Sequence, residues 1–366
     1  MYKFNNFWIK NKYNFKKFWI KNKSQLSLDN ELIKMIDCFI HSESYKLVSK
    51  YWHYLNIKNI SQLKKKKLEN YSTSVAKNYY TFIDVTEDQI KQTMINIENS
   101  FSSEKINLFK KQKKLSYVES MKYNNLTYLL WLNLRNSKSF DKLGKLSNEG
   151  YLSYNDPYVE INDTKVTSDK INSLLDYEKI NEFSNFSNIQ NILEIGAGSG
   201  RTSQAILTFH NDIKYTICDI PPALFVSYER LKKVYNKKKI GLLYNLKDSV
   251  ELNNQINNCD ISFIMPHQLN LIKNKNFDLT IAIDCIHEMD KNTIQNYFTN
   301  INNISKLFYF SVWKKTNVPF SGILRKNWNN LDYFNNDYNI PENWLKKFEK
   351  DLVFPSNYIC SGYEIK

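Results

Sequence analysis

The sequence has few glycines, prolines and cysteines for its 366 residues, with 8, 7 and 5 respectively. So little glycine and proline excludes a collagen-like or linker-dominated chain. The cysteines are scattered and odd in number, so they form neither a disulfide framework nor a paired metal-binding motif. This cysteine usage favours a reducing, cytoplasmic environment.

Long apolar runs are also missing. No window of 18 consecutive apolar residues occurs, so we expect no transmembrane helix. Lys and Asn interrupt the basic start every few residues, which does not fit the apolar centre of a cleavable signal peptide. The hydrophobic share of 42% is nonetheless ordinary for a globular protein. A chain of this length and composition can bury a sizeable core.

Positive charge is concentrated in the first part of the chain. Residues 1–150 carry 27 Lys and Arg against 13 Asp and Glu, whereas residues 151–366 carry 24 of each kind. This contrast indicates two functional regions. We divide the chain into a basic aromatic segment over 1–30, a helical region over 31–150 and a third region over 151–366.

A short repeat lies within the basic aromatic segment. Phe7-Trp8-Ile9-Lys10-Asn11-Lys12 recurs as Phe18-Trp19-Ile20-Lys21-Asn22-Lys23, and residues 1–23 hold seven Lys and no acidic residue. A helix would place both copies on nearly the same face. One interpretation is peripheral contact of residues 1–23 with an anionic membrane surface. The other is a poorly ordered tail, or a helix that packs its aromatic side chains on the protein body.

The helical region is predicted from apolar periodicity. Its helical candidates are 28–40, Ser74–Phe82, Thr86–Phe101 and Leu115–Leu134, where Thr86 begins a capping-box pattern, and Lys64–Lys67 is a solvated four-Lys run. Leu143–Tyr158 contains two Gly and one Pro and is predicted as a linker. After it, the residues flanking Asn162-Asp163 predict a hairpin, and Ser168 is expected to cap a helix that runs towards Phe183.

Short apolar runs alternate with helical stretches from Asn191 onwards. The predicted strands are Ile192–Ile195, Tyr215–Cys218, Ile261–Met265, Leu279–Ile283 and Leu307–Val312, and the predicted helices are Thr202–Phe209, Ala223–Tyr235 and Thr293–Ile304. This alternation predicts βαβ units and a mainly parallel, doubly wound α/β sheet over 151–366. Ligands of such sheets bind beyond the carboxyl ends of the strands.

A glycine-rich turn follows the first of these strands. It reads Glu194-Ile195-Gly196-Ala197-Gly198-Ser199-Gly200-Arg201, and the second strand ends at Asp219, 19 residues after Gly200. Glycines allow a tight turn and a close approach of a ligand to the backbone. The carboxylate at the end of the second strand is suited to accept both hydroxyls of a ribose. The order of strand, loop, helix and strand therefore predicts a nucleoside-cofactor site.

The spacing of the glycines decides between two cofactor classes. Dinucleotide folds use G-x-G-x-x-G/A, and Arg201 stands where the third small residue is required. The form found here is an acidic residue, one intervening residue, and then G-x-G-x-G. This form resembles that of class I methyltransferases, which bind S-adenosylmethionine. A tight turn in an α/β protein without a cofactor is the structural alternative.

Two further segments narrow the resemblance. Asp219-Ile220-Pro221-Pro222-Ala223-Leu224 and Phe277–Met289, which ends in Glu288-Met289, are similar to segments of the bacterial sugar O-methyltransferase family, as is Phe263–Gln268. The resemblance covers about residues 145–315. It implies a Rossmann-like methyltransferase domain, methyl transfer to a hydroxyl of a sugar or glycoconjugate, and a place in surface-polysaccharide modification. The family more often has Gln where this chain has His287. Any role of His287 is therefore not carried over from the family and rests on its chemistry.

Position along the chain suggests roles for the residues that follow each strand. The residues expected to hold S-adenosylmethionine are Glu194, Gly196, Ala197, Gly198, Gly200, Asp219, Ile220, Pro266 and His267. Asp284, His287 and Glu288 follow the fourth strand, where acceptor and methyl group should meet. A sugar hydroxyl is a weak acid, so we expect His287 as general base, with Asp284 orienting it or acting as the base itself. No third ligand accompanies Asp284 and Glu288, so no metal site is predicted.

Two other functions stay open. The basic N-terminal part fits RNA methylation, but the fourth strand lacks the [DN]-P-P-[YF] motif that holds a flipped adenine, and nucleic acid is not the expected partner. A binding protein that kept the fold and lost catalysis is the third interpretation. The glycine loop and Asp219 argue against it.

Overall fold

The computed structural model describes residues 15–25, 29–42, 92, 95, 115–152, 157–221, 223–273, 275–289, 291–313, 338–352 and 358–366. Several predictions lie outside these residues. They are the first copy of the repeat, the helix Ser74–Phe82, the Lys64–Lys67 run and nearly all of Thr86–Phe101 with its capping box.

Eight helices and ten strands are described. In chain order the helices are α1 (Phe15–Asn22), α2 (Asn30–Ile40), α3 (Tyr117–Arg135), α4 (Ser168–Ser184), α5 (Arg201–Phe209), α6 (Ala223–Val234), α7 (Ser249–Asn258) and α8 (Lys291–Ile304). The strands are β1 (Val159–Ile161), β2 (Thr164–Val166), β3 (Asn191–Ile195), β4 (Lys214–Cys218), β5 (Ile240–Leu242), β6 (Ile261–Ile264), β7 (Phe277–Ile283), β8 (Ser305–Trp313), β9 (Trp344–Leu352) and β10 (Tyr358–Ile365).

Eight strands form one sheet in the order β5-β6-β4-β3-β7-β8-β10-β9. Every neighbouring pair from β5 to β8 is parallel, and β10 runs antiparallel to both β8 and β9. Helices α2, α4, α5 and α6 share a core with one face of the sheet, and α7 and α8 share a core with the other. This architecture confirms the Rossmann-like α/β class with a mainly parallel, doubly wound sheet.

The strand order reverses beside β3. The chain proceeds from β3 outwards to β4 and β6, then crosses back to β7 on the other side of β3. Ligand-binding crevices of open α/β sheets form at such a switch point, beyond the carboxyl ends of the strands. The topology therefore brings the loops after β3, β4 and β7 to one place.

Most of the predicted elements between 158 and 313 are present, and the hairpin is confirmed. Asn162 and Asp163 have φ of 50° and 62°, the left-handed values that a two-residue hairpin turn requires. The predicted cap of α4 was wrong by one residue. Thr167, not Ser168, is the N-cap, because its side chain accepts a hydrogen bond from the Lys170 amide at 3.0 Å.

The segment predicted as a linker packs against α5. The Tyr151 hydroxyl donates to the Arg201 carbonyl at 2.9 Å, and the Gln204 side-chain amide donates to the Glu149 carbonyl at 2.8 Å. Leu143 and Leu146 are buried in the same core as α3 and α4. These residues are therefore attached to the α/β sheet, whereas the division at residue 150 stays a prediction.

The second copy of the N-terminal repeat also contributes to the core. Trp19 on α1 is fully buried, and its ring N–H donates to the Asp37 carboxylate on α2 at 2.7 Å. Lys23 pairs with the same carboxylate at 2.6 Å. This is the packing that the second interpretation of the repeat expects. Within the repeat, Ile20 is 55% exposed and Lys21 is exposed.

Contact of residues 1–23 with a membrane surface stays a prediction. No helix in the described part of the chain is both long and apolar enough to cross a bilayer.

Because Trp19 is a fully buried aromatic side chain, we expect Trp19→Ala to lower the free energy of unfolding by about 3–5 kcal/mol. Urea denaturation followed by circular dichroism measures this value. Ile20→Ala on the exposed side of α1 is the control and should change it by less than about 0.5 kcal/mol. Equal stability of the two variants would contradict the burial of Trp19.

Candidate active site

The glycine loop begins where β3 ends. Gly196, Gly198 and Gly200 have φ of 71°, 57° and 74°, values that side-chain-bearing residues rarely adopt. The Gly196 amide donates to the Cys218 carbonyl on β4 at 2.9 Å, and the Gly200 amide donates to the Ala197 carbonyl at 2.9 Å. The loop is thus fixed to the end of the neighbouring strand before α5 begins.

Two of these glycines differ in what surrounds them. A Cβ atom on Gly196 would lie 2.4 Å from the Cβ of Cys285, so the loop after β7 occupies that side. A Cβ atom on Gly198 would meet nothing within 4 Å. A side chain at Gly196 would therefore disturb the packing of the loop against Cys285. The backbone of Gly198 instead borders an open space, which we call the cradle.

Asp219 joins the glycine loop to the end of β4. Its carboxylate accepts from the Gly198 amide at 2.9 Å through Oδ2 and from the Ile220 amide at 2.7 Å through Oδ1. Burial raises the pKa of Asp219 to about 7, although both amides act in the opposite direction. The structure thus joins Asp219 to the glycine loop, and the cofactor contacts expected of Asp219 and Ile220 stay predictions.

Glu194 lies beneath the loop and almost out of contact with solvent. It is 2% exposed, and the Tyr215 hydroxyl on β4 donates to its carboxylate at 2.9 Å. Burial raises the pKa of Glu194 to about 7, and the hydrogen bond from Tyr215 and the charge of Arg201 limit the rise. A cation bound at the loop would favour the ionised form of this carboxyl.

Arg201 is the residue of the site that the sequence reasoning missed. It begins α5, and its guanidinium contacts Asp176 of α4 at 2.7 Å and Asp284 at 3.5 Å. In the sequence, Arg201 stands out only because it breaks the dinucleotide spacing. Its partners lie 25 and 83 residues away, so no local pattern reveals this contact.

Asp284 directly follows β7 and has an unusual backbone conformation. Its φ of 56° is left-handed, a conformation that Asp and Asn adopt more readily than other residues with a side chain. The Asp284 amide donates to the Ser311 carbonyl of β8 at 3.0 Å. Burial raises the pKa of Asp284 to about 6, whereas Arg201 lowers it. Its side chain is nevertheless 42% exposed, so a ligand can reach it.

His287 lies close to Asp284 in sequence but in a different environment. It is 2% exposed, and its ring lies edge-on to that of Tyr358 with 6.5 Å between centroids. Burial lowers the pKa of His287 to about 3, which keeps the imidazole neutral and weakly basic. The side chain of Glu288 is outside the described part of the structure. The role predicted for His287 stays a prediction.

The segment Phe263–Gln268, which also resembles the family, leads from β6 into a short 3-10 helix over Pro266–Leu271. Pro266 is buried, and His267 is partly exposed. Burial, aided by Lys247, lowers the pKa of His267 to about 4. Gln268 is fully buried, and its amide donates to the carbonyls of Leu243 and Leu246 at 2.8 Å each. Gln268 is therefore a structural residue and does not reach a ligand.

Arg230 supports the second half of the glycine loop. Its Nη1 donates to the Ser199 hydroxyl at 3.1 Å, and its Nε donates to Gln204 at 3.0 Å. The guanidinium also lies over the Tyr151 ring, 4.4 Å from the centroid. These contacts attach the loop to α6 and to the segment before β1.

The arrangement suits a cationic nucleoside cofactor. Among the described side chains, no group of three or more His, Cys, Asp and Glu converges as a metal site. The open cradle at Gly198, beside two buried carboxyls with raised pKa values, fits a ligand that carries positive charge and a ribose.

No protein-family model matches the chain, and no curated protein matches it. Solved structures similar to part of it include the pyocyanin biosynthetic protein PhzM, at 13% identity and a TM-score of 0.37, covering 63% of this chain and 62% of that one. TrmK of M. capricolum, solved with S-adenosyl-homocysteine, has 15% identity and a TM-score of 0.29, with coverages of 48% and 62%. A SAM-dependent methyltransferase from Aquifex aeolicus has 10% identity and a TM-score of 0.31, with coverages of 48% and 82%. A likeness this remote carries no argument about function.

The different surroundings of the two glycines predict different stabilities. Gly196→Ala should lower the free energy of unfolding by about 2–4 kcal/mol, because the methyl group overlaps Cys285 and φ is left-handed. Gly198→Ala should lower it by only about 1–2 kcal/mol, from the backbone conformation alone. Chemical denaturation measures both. A larger loss for Gly198→Ala would contradict the open cradle.

The raised pKa of Glu194 predicts a pH-dependent stability. A carboxyl whose folded pKa of about 7 exceeds its unfolded value binds more protons when folded, so its contribution falls as pH rises from about 4 to 7. Glu194→Gln keeps an acceptor for Tyr215 and removes this titration. We therefore expect Glu194→Gln to raise the free energy of unfolding at pH 8 by about 1–3 kcal/mol. At pH 4 the two proteins should be nearly equal, and urea titrations at both pH values test this.

Proposed function

We propose that the chain is an S-adenosylmethionine-dependent methyltransferase. The observation that carries this proposal is the joined pair of loops after β3 and β4. There the bare backbone of Gly198 borders an open cradle and also binds the Asp219 carboxylate. Bound at this position, S-adenosylmethionine would supply a methyl group already activated by its sulfonium.

The residues of the cradle suit the parts of that cofactor. Asp219 has lone pairs beyond those used by the Gly198 and Ile220 amides, and these can accept hydrogen bonds from ribose hydroxyls. The Ile220 side chain stands after the ribose-binding position, where it would contact the adenine edge. Glu194 is too buried for direct contact with solvent, so it would act on the ammonium group through its charge or a water molecule.

We further propose that the acceptor is a hydroxyl of a sugar or glycoconjugate. The resemblance of the segments Asp219–Leu224 and Phe277–Met289 to sugar O-methyltransferases supports this class of acceptor. The local charge supports it as well. Asp176 and Asp284 both contact the Arg201 guanidinium, so two carboxyls face one cation, which suits a neutral hydroxyl better than a polyanion.

Cofactor binding tests the first part of the proposal. Gly198→Ala places a methyl group in the cradle, so we expect its affinity for S-adenosylmethionine to fall at least tenfold, about 1.4 kcal/mol. Isothermal titration calorimetry measures the affinity. Gly144→Ala is the matched control, because its Cβ would also meet nothing within 4 Å but lies outside the loop. Unchanged affinity in Gly198→Ala would show that the cofactor is not held there.

Transfer of a radiolabelled methyl group tests the acceptor class. Free monosaccharides, nucleotide-linked sugars and total RNA should be offered separately to the full chain with labelled S-adenosylmethionine. We expect label in a sugar fraction that is stable to mild base, as an ether is. Label in RNA alone would show that the acceptor is a nucleic acid and not a sugar. Tight cofactor binding without transfer to any of the three would instead favour a binding protein.

A further inference from the structure

We infer that Arg201, braced by Asp176, is a positioning residue that fixes the Asp284 carboxylate beside the glycine loop, and that Asp284 takes the proton of the acceptor hydroxyl. The second half of this inference rests on the methyl transfer proposed above. Neither Arg201 nor Asp176 has a role in the sequence pattern, and the general base first expected was His287.

The two ion pairs of Arg201 are unequal. Its Nη1 lies 2.7 Å from Asp176, whose side chain is 11% exposed, and its Nη2 lies 3.5 Å from Asp284, whose side chain is 42% exposed. Asp176 is therefore the closer and more buried partner of Arg201. The ion pair with Asp176 holds the guanidinium against α4 through Nη1. Its Nη2 is then left to contact Asp284.

The backbone places Asp284 at the loop. The thiol of the next residue, Cys285, donates to the Ile195 carbonyl at the end of β3, at 3.1 Å. The Cβ of Cys285 fills the space beside Gly196. The Asp284 amide is held by Ser311 from the other side, and this contact stabilises the left-handed φ. Asp284 is thus held one residue from the contact between Cys285 and Gly196 of the glycine loop.

Asp284 is better suited than His287 to accept a proton. His287 is 2% exposed, and burial lowers its pKa to about 3, so an acceptor cannot easily reach it and it binds protons weakly. Asp284 is the more exposed of the two, and burial raises its pKa to about 6, closer to neutral pH. At pH 7 the carboxyl is mostly ionised and able to take a proton.

Several groups set the charge of Asp284. Arg201 on α5 and Lys179 on α4 lower its pKa, a hydrogen bond with Tyr358 on β10 also lowers it, and Asp176 on α4 raises it. The buried imidazole of His287 is neutral. Arg201 is the largest of the charged contributions, so its removal should change the titration of Asp284 most.

In the proposed step, the hydroxyl oxygen of the acceptor forms a bond to the methyl carbon while its proton passes to an Asp284 carboxylate oxygen. The bond between that carbon and sulfur breaks, and its electron pair stays on sulfur. The proton later leaves Asp284 for solvent, to which the carboxyl is partly exposed.

Carbon-13 NMR of protein labelled at the aspartate carboxyls tests the positioning role without an acceptor. Asp284→Asn identifies the resonance and suits the left-handed conformation, which Asn tolerates. We expect Arg201→Gln to raise the pKa of Asp284 by at least one unit and Arg201→Lys to leave it between wild type and Arg201→Gln. Lys306→Gln is the matched control, because Lys306 pairs with Asp278 at the opposite end of β7, at 2.8 Å. An unchanged titration in Arg201→Gln would overturn the role of Arg201.

Kinetics on the sugar that the wild type methylates test the catalytic role. Asp284→Asn should lower kcat roughly 10²–10⁴-fold. Arg201→Gln should shift the acidic limb of the pH–rate profile upwards, with partial rescue in Arg201→Lys, while the affinity for S-adenosylmethionine stays within threefold of wild type. Wild-type kcat in Asp284→Asn would overturn the proton transfer. Failure of the proposed function has a different signature, since the wild type would then bind no S-adenosylmethionine, and the NMR titration would still decide whether Arg201 positions Asp284.

Discussion

The Asp219 carboxylate connects the parts on which the site depends. By accepting the amides of Gly198 and Ile220, it joins the turn after β3 to the turn after β4. Hydrogen bonds from backbone amides to a carboxylate are strong, and these two are largely shielded from water. The Asp219 carboxylate holds the glycine loop in one left-handed conformation, although a loop so rich in glycine could adopt many others. Without it, the cradle beside Gly198 would lose its shape.

Burial of acidic groups is the second constraint. Glu194, Asp219 and Asp284 all have raised pKa values, because each is removed from water more than it is compensated by hydrogen bonds and opposite charge. Such an arrangement weakens the ligand-free fold and favours a ligand that brings positive charge. Arg201 is the cation of the protein that offsets part of this cost. Because Arg201 pairs with both Asp176 and the proposed base Asp284, it contributes to the stability of the site and also to the proposed proton transfer.

The N-terminal helices extend this fold rather than stand apart from it. Trp19 and the apolar residues of α2 lie in the same core as one face of the sheet. The Cys38 thiol of α2 donates to the Tyr244 carbonyl after β5, at 3.3 Å, and the Tyr244 hydroxyl lies 3.4 Å from Glu31. The basic residues of α1 and α2 are therefore attached to the same body as the candidate site.

Local sequence was sufficient to predict the helices and strands whose apolar residues follow a strong pattern. The runs Ile192–Ile195 and Leu279–Ile283 are nearly continuous apolar strands, which is typical of a buried parallel sheet, and both are strands in the structure. Four elements were not predicted, and one of them is the three-residue edge strand β5. Strand β9 is a charged edge strand with little alternation, β10 contains Gly362 and polar residues, and α7 buries only Leu252 and Ile256 on a polar helix. Their conformation depends on neighbours that are distant in sequence.

By itself the sequence determined the α/β class, the glycine loop and the carboxylate at the end of the second strand, because each depends on residues close together in the chain. Tertiary structure alone decided which side chains of the site are accessible. Asp284 and His287 are three residues apart, yet one is partly exposed and paired with Arg201, and the other is buried beside Tyr358. Desolvation and ion pairing depend on what packs around a group, and α4, α5 and β10 bring those neighbours from distant parts of the chain.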